Sequence, residues 1–330
     1  MTSQRTLSTV SFREFCPDDY PRFVDIWNLN YPDHVGSVSE QRRFDENVDT
    51  SKYLLKRFAA LNPSNRILGF GQIRNVMDMY HPKKFMISIF VDPIYHGQGI
   101  GSMIYHRIDE ELKTLHAILA WAFALEDLPK QQEFYVSRGF HEVSRDWESH
   151  LDVKSVDANK FQSYVQKISR QGITFTTLAE EQRRDPSLKG LYELWQSVVA
   201  DMPREDVYTP ISYEQWKALT FGTPRLLPEG YIIAKHGSEC VGLSFVFRNE
   251  KQPQKLSQDD TGVRRDYRGR GIAVAMKSKI IEFARKHGYD TIETWNGSTN
   301  TAMLAINAKL GFKRKTGWIR MEKILNPDVH

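Results

Sequence analysis

Thr261-Gly-Val-Arg-Arg-Asp-Tyr-Arg-Gly-Arg-Gly-Ile-Ala-Val-Ala-Met276 is the stretch of this 330-residue chain whose residue types and spacing best suit chemistry. It opens as the end of a strand, passes through the loop 268–273 and enters a helix. Gly269 and Gly271 tolerate positive φ and let a ligand approach the backbone closely. A helix starting there aims its free N–H groups and its positive dipole end at one spot, a ready phosphate site. Arg264, Arg265, Arg268 and Arg270 add positive potential. The stretch reads as a pyrophosphate cradle.

Two familiar cradles do not fit. A dinucleotide site needs G-x-G-x-x-G behind the first strand of a βαβ unit, but Val274 holds the third glycine position here and half a chain precedes it. A P-loop would close on Gly-Lys-Ser/Thr, which is absent. What remains is V-x-x-x-x-R-G-x-G-x-A, carried by Val263, Arg268, Gly269, Gly271 and Ala273. It resembles the acyl-CoA-binding motif of the GNAT superfamily of N-acetyltransferases. Taken alone, the motif also fits a ligand-free turn between strand and helix.

The pattern occurs twice. Val91-Asp-Pro-Ile-Tyr-His96-Gly97-Gln98-Gly99-Ile100-Gly101 repeats it in the first half. Positions 91 and 263, 99 and 271, and 139 and 311 are each 172 apart, the last pair lying in Tyr135-x-x-x-Gly139-Phe140 and Asn307-x-x-x-Gly311-Phe312. An ungapped match over such a span points to duplication. Nearer the start of each copy the offset is 163, matching Val10-Ser-Phe12 to Ile173-Thr-Phe175. Two tandem GNAT-like domains are expected, 1–155 with a degenerate CoA motif and 156–330 with an intact one, the second led by a connector helix over 157–171.

The resemblance implies a sheet that splays beside the motif strand, with the CoA pantetheine lying in the gap. It implies acyl-CoA contacts from Val263, Arg268, Gly269, Arg270, Gly271, Ile272, Ala273 and Asn300. Seven residues after that Asn, the family often has a Tyr that protonates the leaving thiolate; Asn307 stands there instead. In the first half His96 replaces the Arg and Leu128 the Asn, while Tyr135 occupies the acid position. The second domain, with the better phosphate loop, is expected to hold the main catalytic site.

Amide formation from a thioester needs a neutral amine, and a free alkylamine has a pKa of about 10. A carboxylate, directly or through water, is the usual proton acceptor. Asp259 and Asp260 lead into the motif strand, and Glu293 lies on the next one, where alternation puts Thr291, Glu293 and Trp295 on one face. Glu293 is the first choice of base and Asp260 the second, although a solvated charge at a sheet edge explains Glu293 equally well. The segment 201–216 carries Asp201, Glu205, Asp206 and Glu214 with Tyr208, Tyr213 and Trp216. It suits a cationic amine acceptor, or simply a solvated acidic face.

Composition bounds these readings. At 330 residues two domains of ordinary size are expected, and 40% hydrophobic content lets each build a core. The net charge of +4 is too small for a dedicated nucleic-acid binder. Two cysteines, Cys16 and Cys240, argue against a disulfide framework and for a cytoplasmic location. Residues 1–10 lack the apolar run of a signal peptide, and no membrane span is expected. No metal site is read.

Periodicity gives each half the same order. Strands are expected at 11–15, 66–76, 85–91 and 117–125 in the first half, and helices at 17–29, 40–47, 53–61, 101–115 and 131–138. Residues 141–153 would close the first sheet. The second half repeats the pattern: a strand near 173, a helix over 186–199, then strands at 231–235 and 240–248. The motif strand follows, then its helix to 286, a strand over 291–295 and a helix over 302–310. Residues 313–324 would close that sheet. The fold class is α/β, with helices covering a mixed sheet in each domain.

The leading function is acetyl transfer from acetyl-CoA to the amine of a small molecule or peptide. A non-catalytic acyl-CoA sensor is the alternative, motivated by the incomplete acid and Asn positions. Nucleic-acid binding through the four arginines is a third reading, against which the low net charge counts.

Overall fold

Residues 10–326 are described by the computed structural model of the chain. Of the polar start read at 1–10, only Val10 falls within them. The chain divides into two units. One comprises 1–124, 128–143 and 320–330; the other comprises 125–127 and 144–319.

The first unit runs β1 (Ser11–Glu14), α1 (Tyr20–Asn30), α2 (Val38–Glu46), β2 (Leu55–Leu61), β3 (Ile67–Arg74) and β4 (Lys84–Val91). It continues with α3 (Ile100–Thr114), β5 (Leu119–Leu125) and α4 (Pro129–Val136). Strands β1 to β4 pair antiparallel in sequence order, and β4 pairs parallel with β5 across the α3 crossover. The helical reading of 53–61 does not hold. Lys56, Arg57, Ala59 and Leu61 favour helices intrinsically, but β2 lies between β1 and β3 and is buried on both faces from Arg57 on. Burial of that kind overrides propensity.

The rest of the chain runs β6 (His141–Asp152), α5 (Ala158–Ser169), β7 (Ile173–Thr177), α6 (Leu178–Arg184), α7 (Lys189–Ala200) and α8 (Tyr213–Phe221). Then come β8 (Leu226–His236), β9 (Glu239–Arg248), β10 (Lys255–Val263), α9 (Ile272–Lys286), β11 (Thr291–Gly297), α10 (Thr301–Leu310) and β12 (Lys313–Ile324). In the second unit the strand order is β6-β11-β10-β9-β8-β7, with β10 and β11 parallel across α9 and the other pairs antiparallel. Its core lies between α9 and the sheet, where Ile280, Ala284, Leu256, Ile292 and Leu151 are fully buried. The connector, α5, adds Ile168 to that core.

The closing strands differ from the periodicity reading. From Ser144 onward β6 belongs to the second unit, running antiparallel to β11 with His150 opposite Glu293 and Leu151 opposite Ile292. Residues 320–324 of β12 belong to the first unit, next to β5, where Trp121 Nε1 donates to Glu322 Oε2 at 2.8 Å. Each unit takes a last strand from beyond its own half of the sequence, and alternation along a strand carries no information about its neighbour.

On the face of the second sheet opposite α9, α7 approaches β10 very closely. A Cβ at Gly262 would stand 2.0 Å from Val198 Cγ1, so only glycine permits this contact.

Candidate active site

Strand β10 leaves its neighbour partway along. Its parallel pairing with β11 covers Lys255–Gln258 against Thr291–Thr294 and ends there, five residues before β10 does. On its other side, β10 shifts register against β9 between Gln258 and Thr261. The shift is held by a buried cluster in which Gln258 Nε2 donates to Ser244 Oγ at 3.0 Å and Ser244 and Thr261 hydroxyls meet at 2.7 Å. The splayed half of β10 therefore offers backbone N–H and C=O groups to whatever enters the gap.

At the end of the opened edge stands the glycine loop. Gly269 has φ +75° and Gly271 φ +96°, and Gly271 caps α9 at its N-terminus. A Cβ at Gly269 would project into open space. Backbone shape and helix dipole thus converge where the sequence placed them. The arginines are more committed. Arg268 Nε donates to the Val263 carbonyl at 2.9 Å, which ties the loop to the motif strand. Arg265 bonds Asp201 at 2.6 Å, and Arg268 reaches the same carboxylate. Arg265, followed by Arg268, holds the Asp201 carboxyl below its ordinary range, against a smaller burial effect. Arg264 pairs with Asp266 at 2.8 Å, and Arg270 donates to the Asp266 carbonyl at 3.0 Å.

Asp201 therefore serves the loop from the C-cap of α7. The aromatic part of 201–216 is likewise structural in part, since Trp216 is fully buried and stacks on Tyr213.

Three carboxylates lie on the sheet face opposite α9, in different circumstances. Glu293 is buried; its Oε1 accepts from Ser257 Oγ at 2.6 Å and its Oε2 lies 3.0 Å from Lys255 Nζ. His150 and Glu148 bond each other beside it, and ligand-type atoms of all three residues fall within 4.8 Å of one another. Lys255 already balances charge in that cluster. Asp260 accepts from Trp195 Nε1 of α7 at 2.8 Å. Asp259 is different: the residue is exposed on the splayed half of β10, and the protein around its carboxyl raises its pKa, only partly offset by Arg225. His150 and Glu148 were not legible as site residues, because β6 precedes the whole second domain in sequence.

On the α9 side of the gap stands α10. Asn300 is its N-cap, the side chain accepting from Met303 N at 3.2 Å. Asn307 is buried; its Nδ2 donates to Asn296 Oδ1 at 2.6 Å, while its Oδ1 has no partner. Asn296 lies two residues past the last position at which β11 pairs with β10. Ile272 is buried in the core at the first turn of α9, Val263 ends β10 and Ala273 packs against that core.

The first unit repeats the geometry. Strand β4 pairs with β5 only over Lys84–Met86 before parting. Gly97, Gly99 and Gly139 have φ +74°, +83° and +84°, against +75°, +96° and +99° at Gly269, Gly271 and Gly311. His96 Nε2 meets the Val91 carbonyl at 3.0 Å, the same tie that Arg268 makes to Val263. Leu128 precedes α4 without a capping side chain, and Tyr135 is enclosed, its hydroxyl pKa raised by burial.

These features suit an acyl-CoA molecule in the second unit. The loop has the backbone shape and helix dipole that suit a pyrophosphate, the opened strand edge has the N–H and C=O groups that suit amides of an extended arm, and Asn307 Oδ1 has no partner. Comparison with known proteins gives the family. The profile of the acetyltransferase (GNAT) family matches residues 20–140 and 190–312. An uncharacterized N-acetyltransferase of Methanocaldococcus jannaschii is 43% identical over 61 residues, which is 18% of this chain and 27% of that protein. A GCN5-related N-acetyltransferase from Sphaerobacter thermophilus superposes with a TM-score of 0.71 at 17% identity, covering 96% of both chains. A tandem GNAT protein from the clavulanic acid biosynthesis pathway gives 0.73 at 17% identity, covering 97% of this chain and 99% of that one.

Proposed function

Because the chain belongs to the GNAT family of acetyltransferases, with that family's domain present twice, we propose that it moves an acetyl group from acetyl-CoA to the amine of a small-molecule or peptide acceptor, with the chemistry in the second unit. The observation that carries this reading is the opened edge of β10 running straight into the Gly269–Gly271 loop at the start of α9.

Acetyl-CoA supplies an activated acyl group; the chain's part is to hold it and manage protons. Loop residues Arg268, Gly269, Arg270, Gly271, Ile272 and Ala273 receive the pyrophosphate through backbone N–H groups. Val263 and its neighbours on β10 bond the extended arm, and Asn307 faces it from α10. Asn300 fixes the start of α10.

An amine acceptor arrives protonated, since its pKa is about 10. Asp259 is the base best placed to take that proton: solvent reaches it, and its raised pKa brings it nearer the working pH. Asp260 and Glu293 are each held by a neighbouring donor and are less available for that step. Exposed Glu214, on α8, favours a cationic acceptor.

Calorimetric titration with acetyl-CoA, paired with thiol release on an amine panel, tests the reading. Binding with turnover is expected, and Gly271→Val should abolish both, because a β-branched residue does not adopt φ +96° and the loop backbone would have to rearrange. Binding without turnover on any amine would favour an acyl-CoA sensor, and an unaffected Gly271 variant would move the site elsewhere.

A further inference from the structure

A cavity of about 350 Å³ lies between α6, α7 and the turn joining β8 to β9, a volume that suits a small organic molecule. Four carboxylates line it, those of Glu181, Asp185, Glu193 and Glu239, against one guanidinium, that of Arg264. Glu181 is only 6% exposed, a burial that glutamate rarely accepts unless paired. Its Oε1 accepts from Lys235 Nζ at 2.5 Å, but its Oε2 has no hydrogen-bond partner. A buried carboxylate oxygen without a donor is costly, and a ligand that brings an N–H removes that cost. Glu193 stands exposed on the α7 wall, and Glu239 shares Arg264, at 3.4 Å, with Asp266. With Lys235 counted, four negative groups face two positive ones.

We propose that this cavity binds a small organic amine as its ammonium ion, with Glu181 Oε2 accepting one N–H and the remaining carboxylates balancing the charge. A hydrocarbon part has its own contacts, because Leu188, Leu191 and Leu194 also line the cavity. A bare metal ion fits less well. Among the described residues, the group whose ligand-type atoms fall within 4.8 Å of one another is Glu148, His150 and Glu293, none of which lines this cavity. The site is also separate from the position where an acceptor would react. Arg264 lies four residues beyond Asp260, and a strand rises about 3.3 Å per residue, so this wall of the cavity is about 13 Å further along. Binding here does not depend on the acetyl-CoA reading.

Calorimetric titration of the full chain with diaminobutane, without CoA and at a pH of about 7 where both amines are charged, tests the proposal. One equivalent should bind, butanol should give no heat, and magnesium chloride at the same concentration should not displace the amine. Glu181→Gln keeps the side chain's shape but removes its charge, and should weaken binding about tenfold or more. Glu193→Gln, at an exposed position that does not endanger folding, should weaken it about threefold. Asp259→Asn should leave this equivalent unchanged. Loss of the equivalent in Asp259→Asn, with both glutamine variants unaffected, would put the amine at the acceptor position and overturn the proposal. Displacement by magnesium, or no binding to the wild type, would overturn it as well.

Discussion

Asp259 and Asp260 are adjacent in sequence, yet the fold gives them different chemistry. Trp195 occupies Asp260, while Asp259 stays exposed with a raised pKa. A base works only when ionised, so activity should fall as pH drops through a value above the ordinary carboxylate range. Asp259→Asn should lower kcat by about 10² or more and erase that acid limb; an unaltered profile would shift the role to Glu293. Lys277, buried on α9, makes a stability prediction of its own. Its folded value of about 7 lies below the ordinary 10.5, so between those pH values the unfolded chain binds a proton that the folded chain refuses. Stability from this group therefore rises with pH across that window. Denaturant midpoints at pH 7 and pH 9 should separate more in the wild type than in Lys277→Met; equal separations would mean that Lys277 stays charged when folded. Spacing made the loop glycines, Asn300 and Asn307 legible in the sequence. It could not reveal Lys277, His150 or Glu148, whose significance comes from burial and from strands that meet only in the fold.

At the scale of elements, the strand–loop–helix unit at 255–286 was readable because its glycines serve backbone needs that no other residue meets. Elements fixed by tertiary burial were not. β2 looks helical by composition, and α6, a short helix opened by a Thr177–Glu180 capping box, did not register as an element. The pairings of β6 and β12 were equally hidden, since register depends on partners far along the chain. One contact between elements matters for the site. α7 carries Trp195 and Asp201 and is seated on β10 through Gly262, where an added Cβ would meet Val198 at 2.0 Å. Gly262→Ala should cost about 1–3 kcal/mol of stability, as overpacking does. It should also raise the KM for acetyl-CoA, because α7 steadies Arg265 and Arg268 through Asp201. Thermal melts and steady-state kinetics report the two effects separately; a stable variant with unchanged kinetics would show that α7 has room to shift.

The whole molecule carries the fold twice, and its two loops are alike in backbone but not in side chains. Left-handed glycines recur at Gly97 and Gly99 as at Gly269 and Gly271, and His96 copies the tie of Arg268 to its strand. Backbone geometry alone would give two CoA sites. Charge and polarity separate them. The second loop is surrounded by Arg264, Arg265, Arg268 and Arg270, whereas the first offers His96 and Gln98 at the positions of Arg268 and Arg270. Leu128 gives α4 no capping side chain where Asn300 caps α10, and Tyr135 is closed in. A pyrophosphate is held by charge as well as by N–H groups, so fewer cations mean weaker binding and less sensitivity to salt. Calorimetry with acetyl-CoA should therefore find one tight equivalent per chain, lost in Gly271→Val and retained in Gly99→Val. Raising ionic strength should weaken that equivalent. Two equal tight sites, or loss of the single site in Gly99→Val alone, would place acyl-CoA in the first unit and reverse the assignment.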